Sequence, residues 1–128
     1  MIIQAENLTK KFWRHDAVHG VNLSVPEGAT FALIGANGAG KTTTMRMLVD
    51  ILAPDQGSAR VLGVDSRHLK PHDRLRIGYL SENQDLPDRL SIAHYFDYLR
   101  TLYPNWDQSL EKRLLERFEL PPKRALAT

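Results

Sequence analysis

The chain has 128 residues, of which 42% are hydrophobic and 25% are charged, and this composition predicts one small globular domain or part of a larger one. A formal net charge of +2 is too small to argue for a polyanionic partner. The absence of cysteine excludes a disulfide framework and a thiolate metal site. The N-terminus lacks signal-peptide features and the apolar runs are short, so we expect a cytosolic chain that reaches a membrane only through a partner.

The first part of the chain is predicted to alternate strands with a single helix. Three strands are expected, over residues 2–8, 21–25 and 30–34. The third of these is a continuous apolar run, which is typical of a strand buried on both faces. A helix is predicted next, over residues 41–52, because its apolar residues recur at helical spacing and Pro54 follows. The apolar stripe of this helix is expected to contain Met45, Leu48 and Leu52.

The second part becomes helical. Two more strands are expected, over residues 58–62 and 77–80, with a turn at 63–65 between them and a polar loop at 81–89 after them. Ser91 can cap a helix that runs through Tyr103, with Ile92, Tyr95, Phe96 and Leu99 on its apolar face. Asp107 can cap a second helix. The pattern predicts an α/β core over residues 1–84 and the beginning of a helical subdomain over residues 85–128.

Residues 35–42 match the phosphate-binding pattern G-x-x-x-x-G-K-[ST] at every fixed position. The predicted strand before them and the predicted helix after them are the context that this motif requires. Its glycines allow the backbone N–H groups to approach phosphates at the positive end of a helix. Lys41 is expected to reach the β- and γ-phosphates, and the Thr42 hydroxyl is placed for Mg²⁺. The alternative is a glycine-rich turn with a capping Lys-Thr pair.

Four segments in this order resemble the ATP-binding subunits of ABC transporters, and the resemblance covers nearly the whole chain. The segments are residues 7–12, 38–44, 52–58 and 77–82. Residues 79–87 and 103–107 also resemble a subgroup of bacterial exporters that are often encoded beside a transcriptional regulator. The resemblance implies the P-loop NTPase core of the ABC ATPase type, with an antiparallel β-subdomain and the start of a helical subdomain.

The same resemblance implies a site for ATP and Mg²⁺. Phe12 would stack on adenine, although Trp13 could take the same role. The alternative is that Phe12 is an aromatic residue of the core at the end of a strand. Glu82 occupies the position where the family usually has the glutamine of its Q-loop. Either Glu82 or Gln84 would provide the oxygen ligand for Mg²⁺ that this position supplies. The alternative is that both are solvated loop residues. The expected metal ligands are Thr42 and Glu82. The nucleotide-binding residues are expected to be Phe12, Gly35, Asn37, Gly38, Ala39, Gly40, Lys41, Thr42 and Thr43.

Hydrolysis in this family requires further elements that the sequence does not contain. They are a signature of Leu-Ser-Gly-Gly-Gln type, a strand ending in Asp-Glu, a nearby Asp turn and a switch histidine. The resemblance implies that the Asp supports Mg²⁺, that the Glu orients and activates the attacking water, and that the histidine contacts the γ-phosphate. The signature would act across a dimer, on the ATP held by the other subunit. We therefore expect this chain to stop before them, to contain no catalytic residue and to be unable to hydrolyse ATP alone.

The partners implied by the resemblance are a second nucleotide-binding subunit and a transmembrane subunit, which would hold the chain at the inner face of the cell membrane. One alternative is a soluble ABC-type ATPase acting on nucleic acid or ribosomes, but the small basic cluster of Lys10, Lys11 and Arg14 does not favour it. Another is a nucleotide-binding remnant that never hydrolyses. An unrelated small P-loop kinase is the last, and the Q-loop-like segment argues against it.

Overall fold

The computed structural model describes residues 1–82 and 86–126, which fall into two compact units, Met1–Tyr79 and Leu80–Thr128. The predicted boundary between residues 84 and 85 lies outside the described residues and stays a prediction. No helix in the described ranges has the length and apolar character needed to cross a membrane.

The first unit contains a four-stranded antiparallel sheet of β1 (Ile3–Phe12), β2 (His15–Val25), β3 (Gln56–Val61) and β4 (Val64–Asp65). Their order in the sheet is β2-β1-β3-β4. Ile3 at the start of β1 pairs with Val25 on one side and with Val61 on the other. The strands predicted at 2–8, 21–25 and 58–62 are therefore confirmed, and the antiparallel pairing extends the first two well beyond those bounds.

The turn predicted at residues 63–65 is shifted by one residue. Leu62 and Gly63 both have positive φ, at 57° and 81°, and they connect β3 to β4 as the central pair of a tight hairpin. Val64 and Asp65 then pair with β3 instead of turning. A 3₁₀ turn (Ser66–His68) and the short helix α2 (Pro71–Arg74) follow, neither of which was predicted.

Helix α1 (Lys41–Leu48) packs on the sheet and ends earlier than the predicted residue 52, since Val49 leaves helical geometry and Asp50 has φ +58°. The predicted apolar stripe is wrong at Met45, which is 49% exposed, whereas Met47 is fully buried. Positions 44, 47 and 48 face the sheet because three- and four-residue spacings share one helix face. The core of the unit is formed by Ala5, Leu8, Val18, Met47, Leu48, Ala59 and Val61.

The strands predicted at residues 30–34 and 77–80 are not observed. Phe31 is 52% exposed and Ile34 is 91% exposed, so the first segment is also not buried. A strand exists through hydrogen bonds to a neighbouring strand. No strand of the described residues pairs with either segment, and both therefore remain irregular backbone.

The second unit contains helices α3 (Ile92–Leu102) and α4 (Gln108–Arg117), in agreement with prediction. The Ser91 hydroxyl accepts the N–H of His94, and the Asp107 carboxylate accepts the N–H of Leu110, so both predicted N-caps form. Ile92 is buried, and the other predicted apolar residues of α3 are half-buried. Arg100 of α3 is bonded to Glu111 of α4 through two hydrogen bonds, which fixes one helix against the other.

Candidate functional site

The glycine-rich segment is an irregular loop that leads directly into α1. Gly38 and Gly40 have φ of +83° and +82°, a backbone region that side chains disfavour. Gly40 is the N-cap of α1 and has no side chain with which to cap the first amides. Within the described residues the N–H groups of Lys41, Thr42 and Thr43 have no backbone acceptor. The loop thus presents free donors at the positive end of a helix dipole, the geometry that binds phosphate.

The ammonium group of Lys41 lies over this loop. Its Nζ donates hydrogen bonds to the carbonyl oxygens of Gly35, at 2.7 Å, and of Ala36, at 2.8 Å. The side chain therefore folds back from the first residue of α1 onto the start of the loop. A cation held beside a row of free N–H groups adds to the attraction of the loop for an anion.

The loop is anchored to the sheet through Gly40. A Cβ atom at this position would overlap the carbonyl oxygen of Ala17 in β2 and would lie 3.0 Å from Cγ2 of Val18. Only glycine permits this close approach. The end of the loop is consequently held against β2 at Ala17, two residues after that strand begins at His15.

The two threonines at positions 42 and 44 differ in what their hydroxyls do. Thr44 is buried and donates to the carbonyl of Gly40 at 2.9 Å, which closes the first turn of α1. Thr42 is exposed, and its hydroxyl has no partner among the described residues. Of the other predicted loop residues, Asn37 and Ala39 are exposed and Thr43 is half-buried.

Phe12 and Trp13 occupy the end of β1 and the turn to β2. Phe12 is 44% exposed, pairs with His15 across the hairpin, and has the ammonium of Lys10 over its ring at 5.7 Å from the centroid. Trp13 is fully exposed at φ +53° and makes no aromatic or cation contact within the described ranges. Because Ala17, which touches Gly40, lies two residues beyond His15, the Phe12 end of the hairpin and the loop share the same stretch of β2.

The roles expected of the two Q-loop residues stay predictions. Glu82 belongs to the second unit, and Gln84 lies outside the described residues. Over residues 1–82 and 86–126, no three acidic or histidine side chains lie together as a metal site.

The second unit contains a cavity of about 350 Å³ between α3 and α4, lined mainly by apolar side chains. Glu111 at its wall accepts from Arg100 and, at 2.6 Å, from the indole N–H of Trp106. The hydrogen bonds from Arg100 are the main cause that holds the pKa of Glu111 below its ordinary value, and the Trp106 bond acts in the same direction. Phe96 packs edge-on against Trp106 at 5.7 Å. Arg100, Glu111 and Trp106 are thus hydrogen-bonded to one another, which indicates that they have a structural role.

Two features of the site were not found from the sequence. The contact between Ala17 and Gly40 was not predicted, because it involves the backbone carbonyl of Ala17 and every residue type has such a carbonyl. Lys10 was noted only as part of a basic cluster, yet its ammonium is bonded to Asp55 at 2.9 Å. The turn around Pro54 was predicted, and the presence of Asp55 in that turn was the sequence signal for a cationic partner such as Lys10.

A glycine-rich loop that leads into an uncapped helix and packs on the sheet through Gly40, with a lysine bent over it, defines a P-loop protein. The model of the ABC transporter family matches residues 18–127. The chain therefore belongs to the ABC transporter family, as its resemblance predicted.

Relatives and a solved structure agree with this assignment. The chain is 36% identical over 102 residues to the "Probable multidrug ABC transporter ATP-binding protein YbhF" of Escherichia coli, covering 80% of this chain and 18% of that protein. It is 36% identical over 122 residues to the "Uncharacterized ABC transporter ATP-binding protein YhaQ" of Bacillus subtilis, covering 93% of this chain and 40% of that protein. The chain thus spans well under half the length of these relatives.

The fold class predicted from the sequence is confirmed by a structure described as that of an ATP-binding subunit of an ABC transporter. The TM-score is 0.80, with 24% identity, over 100% of this chain and 54% of the other. At this identity the comparison shows a shared fold, namely the ABC ATPase type of α/β domain.

Proposed function

We propose that this chain is the nucleotide-holding part of an ABC transporter ATP-binding subunit, and that it binds MgATP through residues 35–42. The observation that carries the proposal is the uncapped start of α1, where Gly40 leaves the first amides open and the ammonium of Lys41 lies over the loop. The cofactor-binding residues remain those expected from the motif.

The chain's own groups would act on the phosphates by charge and hydrogen bonding. The N–H groups of the loop would donate to phosphate oxygens, aided by the helix dipole. Lys41 would exchange the carbonyl oxygens of Gly35 and Ala36 for phosphate oxygens. This exchange is favourable because a phosphate oxygen attracts the ammonium by its opposite charge as well as by the hydrogen bond.

The residues at the loop suit Mg²⁺ that arrives with the nucleotide. The exposed, unpartnered Thr42 hydroxyl is an oxygen ligand of the kind that Mg²⁺ prefers, and Mg²⁺ usually takes few protein ligands and completes its shell with phosphate oxygens and water. This fits the lack of an acidic cage in the described residues. When bound, the ion would neutralise charge on the β- and γ-phosphates. Glu82 is the second proposed ligand.

Binding of MgATP by this chain would serve the ATP hydrolysis that its family couples to transport. We propose that the chain pairs with a second nucleotide-binding subunit and with a transmembrane subunit, and that the latter holds it at the inner face of the membrane. The relatives named above, described as ABC transporter ATP-binding proteins, support this role. The small net charge does not favour a nucleic-acid partner.

Thermal unfolding of the full-length natural protein with and without MgATP tests the proposal. At a free nucleotide concentration 100 times the dissociation constant, we expect stabilisation of about 2.7 kcal/mol. Lys41→Ala should remove most of this shift, while Lys112→Ala, on the exposed surface of α4, should leave it intact. An equal shift in the Lys41→Ala variant would contradict the assigned role of the loop.

A further inference from the structure

The side chain of Lys10 is held at three points in the first unit. Its Nζ donates to Asp55 Oδ1 at 2.9 Å and to the carbonyl of Ala53 at 2.8 Å, and it lies over the ring of Phe12 at 5.7 Å from the centroid. Only 14% of the Lys10 side chain is exposed. A lysine at a protein surface ordinarily keeps its ammonium in water, so this one is unusually constrained.

Asp55 is itself fixed by the strand that carries Lys10. Its backbone N–H donates to the carbonyl of Thr9 at 2.9 Å, and its Oδ2 accepts the N–H of Lys11 at 2.8 Å. The Lys11 N–H, followed by Lys10, holds the pKa of the Asp55 carboxyl below its ordinary value, so the group is ionised at neutral pH. Asp55 is therefore hydrogen-bonded to three consecutive residues of β1, Thr9, Lys10 and Lys11, which immediately precede Phe12.

The neighbouring lysine is arranged differently. The ammonium of Lys11 points to Asp16 of β2, at 3.4 Å, and 55% of its side chain is exposed. The two lysines therefore have the same charge and adjacent positions, but the cation–ring contact belongs to Lys10. This difference makes Lys11 a matched control.

We propose that Lys10 is a positioning residue for an adenine base, since it covers one face of Phe12 and holds the ring so that its other face is presented for stacking. The inference rests on the proposed nucleotide-binding function and deepens it. Asp55 acts through Lys10, and neither residue need touch the nucleotide.

The physical basis is pre-organisation of the ring. A ring already held in one orientation loses less rotamer freedom when a base stacks on it. A cation over an aromatic ring at a surface site is worth about 0.5–1 kcal/mol, which is roughly two- to fivefold in an equilibrium constant. We expect removal of the Lys10 ammonium to weaken binding of an adenine nucleotide by that factor and to leave phosphate binding unchanged.

The experiment compares MgADP with magnesium pyrophosphate, which shares the phosphates but lacks adenosine. Dissociation constants are measured by calorimetry on the full-length natural protein for Lys10→Met, Lys11→Met, Phe12→Leu and the double variant of Lys10 and Phe12. Lys10→Met should bind MgADP two- to fivefold more weakly and pyrophosphate equally well. Lys11→Met should match the wild type for both ligands. In the Phe12→Leu background, Lys10→Met should have no further effect.

Asp55→Asn provides a second variant, because it keeps an acceptor for the Lys11 N–H while removing the charge that holds Lys10. It should produce a smaller loss of MgADP affinity in the same direction.

Two results for Lys10→Met would overturn the inference alone: an unchanged affinity for MgADP, or an equal loss of affinity for MgADP and pyrophosphate. So would an unchanged MgADP affinity in Phe12→Leu. The inference would also fail if Lys10→Met caused the same loss of MgADP affinity in the Phe12→Leu background. Failure of the wild type to bind MgADP, or binding unaffected by Lys41→Ala, would instead overturn the proposed function and this inference with it.

Discussion

Gly40 at the end of the phosphate-binding loop lies directly against the carbonyl oxygen of Ala17 in β2, with no room for a Cβ atom between them. This contact ties the loop to the sheet at the N-cap residue of α1. Gly38, two residues earlier, has the same positive φ but has open space around the position a Cβ would take. The two glycines therefore separate the effect of backbone conformation from the effect of close packing.

We expect Gly38→Ala to cost about 1–2 kcal/mol, since only the strain of a positive φ is added. Gly40→Ala should cost about 2–5 kcal/mol, because overlap with the Ala17 backbone adds to that strain. Urea unfolding monitored by circular dichroism would measure both. Equal losses for the two variants would argue against the packing of Gly40 on Ala17.

Met47 and Met45 provide a test of which face of α1 meets the sheet. Met47→Ala should destabilise the folded state by about 2–5 kcal/mol, because it removes a fully buried side chain from the core. Met45→Ala, at a 49% exposed position, should change stability by no more than about 0.5 kcal/mol. The free energy of unfolding of each variant decides the matter, and the opposite ranking would restore the stripe predicted from the sequence.

The Arg100–Glu111 pair should make stability depend on pH. Because the pKa of Glu111 is lower in the folded chain than in the unfolded chain, the ionised pair contributes fully above the ordinary glutamate pKa. That contribution is lost as pH falls through the lowered folded pKa, so the loss begins below about pH 4.3. Glu111→Gln should therefore lower the melting temperature at pH 7, and the difference from wild type should shrink in acid.

Glu116→Gln serves as the control for this pH experiment, since Glu116 is exposed on the same helix and has no ion-pair partner among the described residues. It should melt like the wild type from neutral to acid pH. A gap between Glu111→Gln and wild type that stays constant down to pH 3 would show that the side chain's shape, and not its charge, is what the structure uses.

The cap of α3 should account for a measurable part of the stability of the second unit. Ser91→Ala removes the acceptor for the N–H of His94 and should cost about 1 kcal/mol. Ser109→Ala, at an exposed position inside the first turn of α4, is the matched change and should be close to neutral. Chemical denaturation of both variants provides the comparison, and a neutral Ser91→Ala would mean that another group replaces the cap.

The two helices of the second unit were predicted well because their signals are local. Ser91 and Asp107 stand three residues before the N–H groups they accept, and Pro104 follows α3 closely. The strands at residues 30–34 and 77–80 were predicted wrongly from signals just as clear. An apolar run indicates that a segment is suited to a sheet interior, but a strand also requires a neighbour, and its own residues do not specify one.

The sequence by itself determined that this chain carries a phosphate-binding loop and belongs among ABC ATPases, because the loop's chemistry resides in consecutive residues with fixed roles. Only the tertiary structure decided what supports the loop and the ring beside it. Ala17 meets Gly40, and Asp55 holds Lys10 from 45 positions away. Such contacts join residues far apart in the chain, whereas periodicity and capping patterns report on neighbours within a few residues of one another.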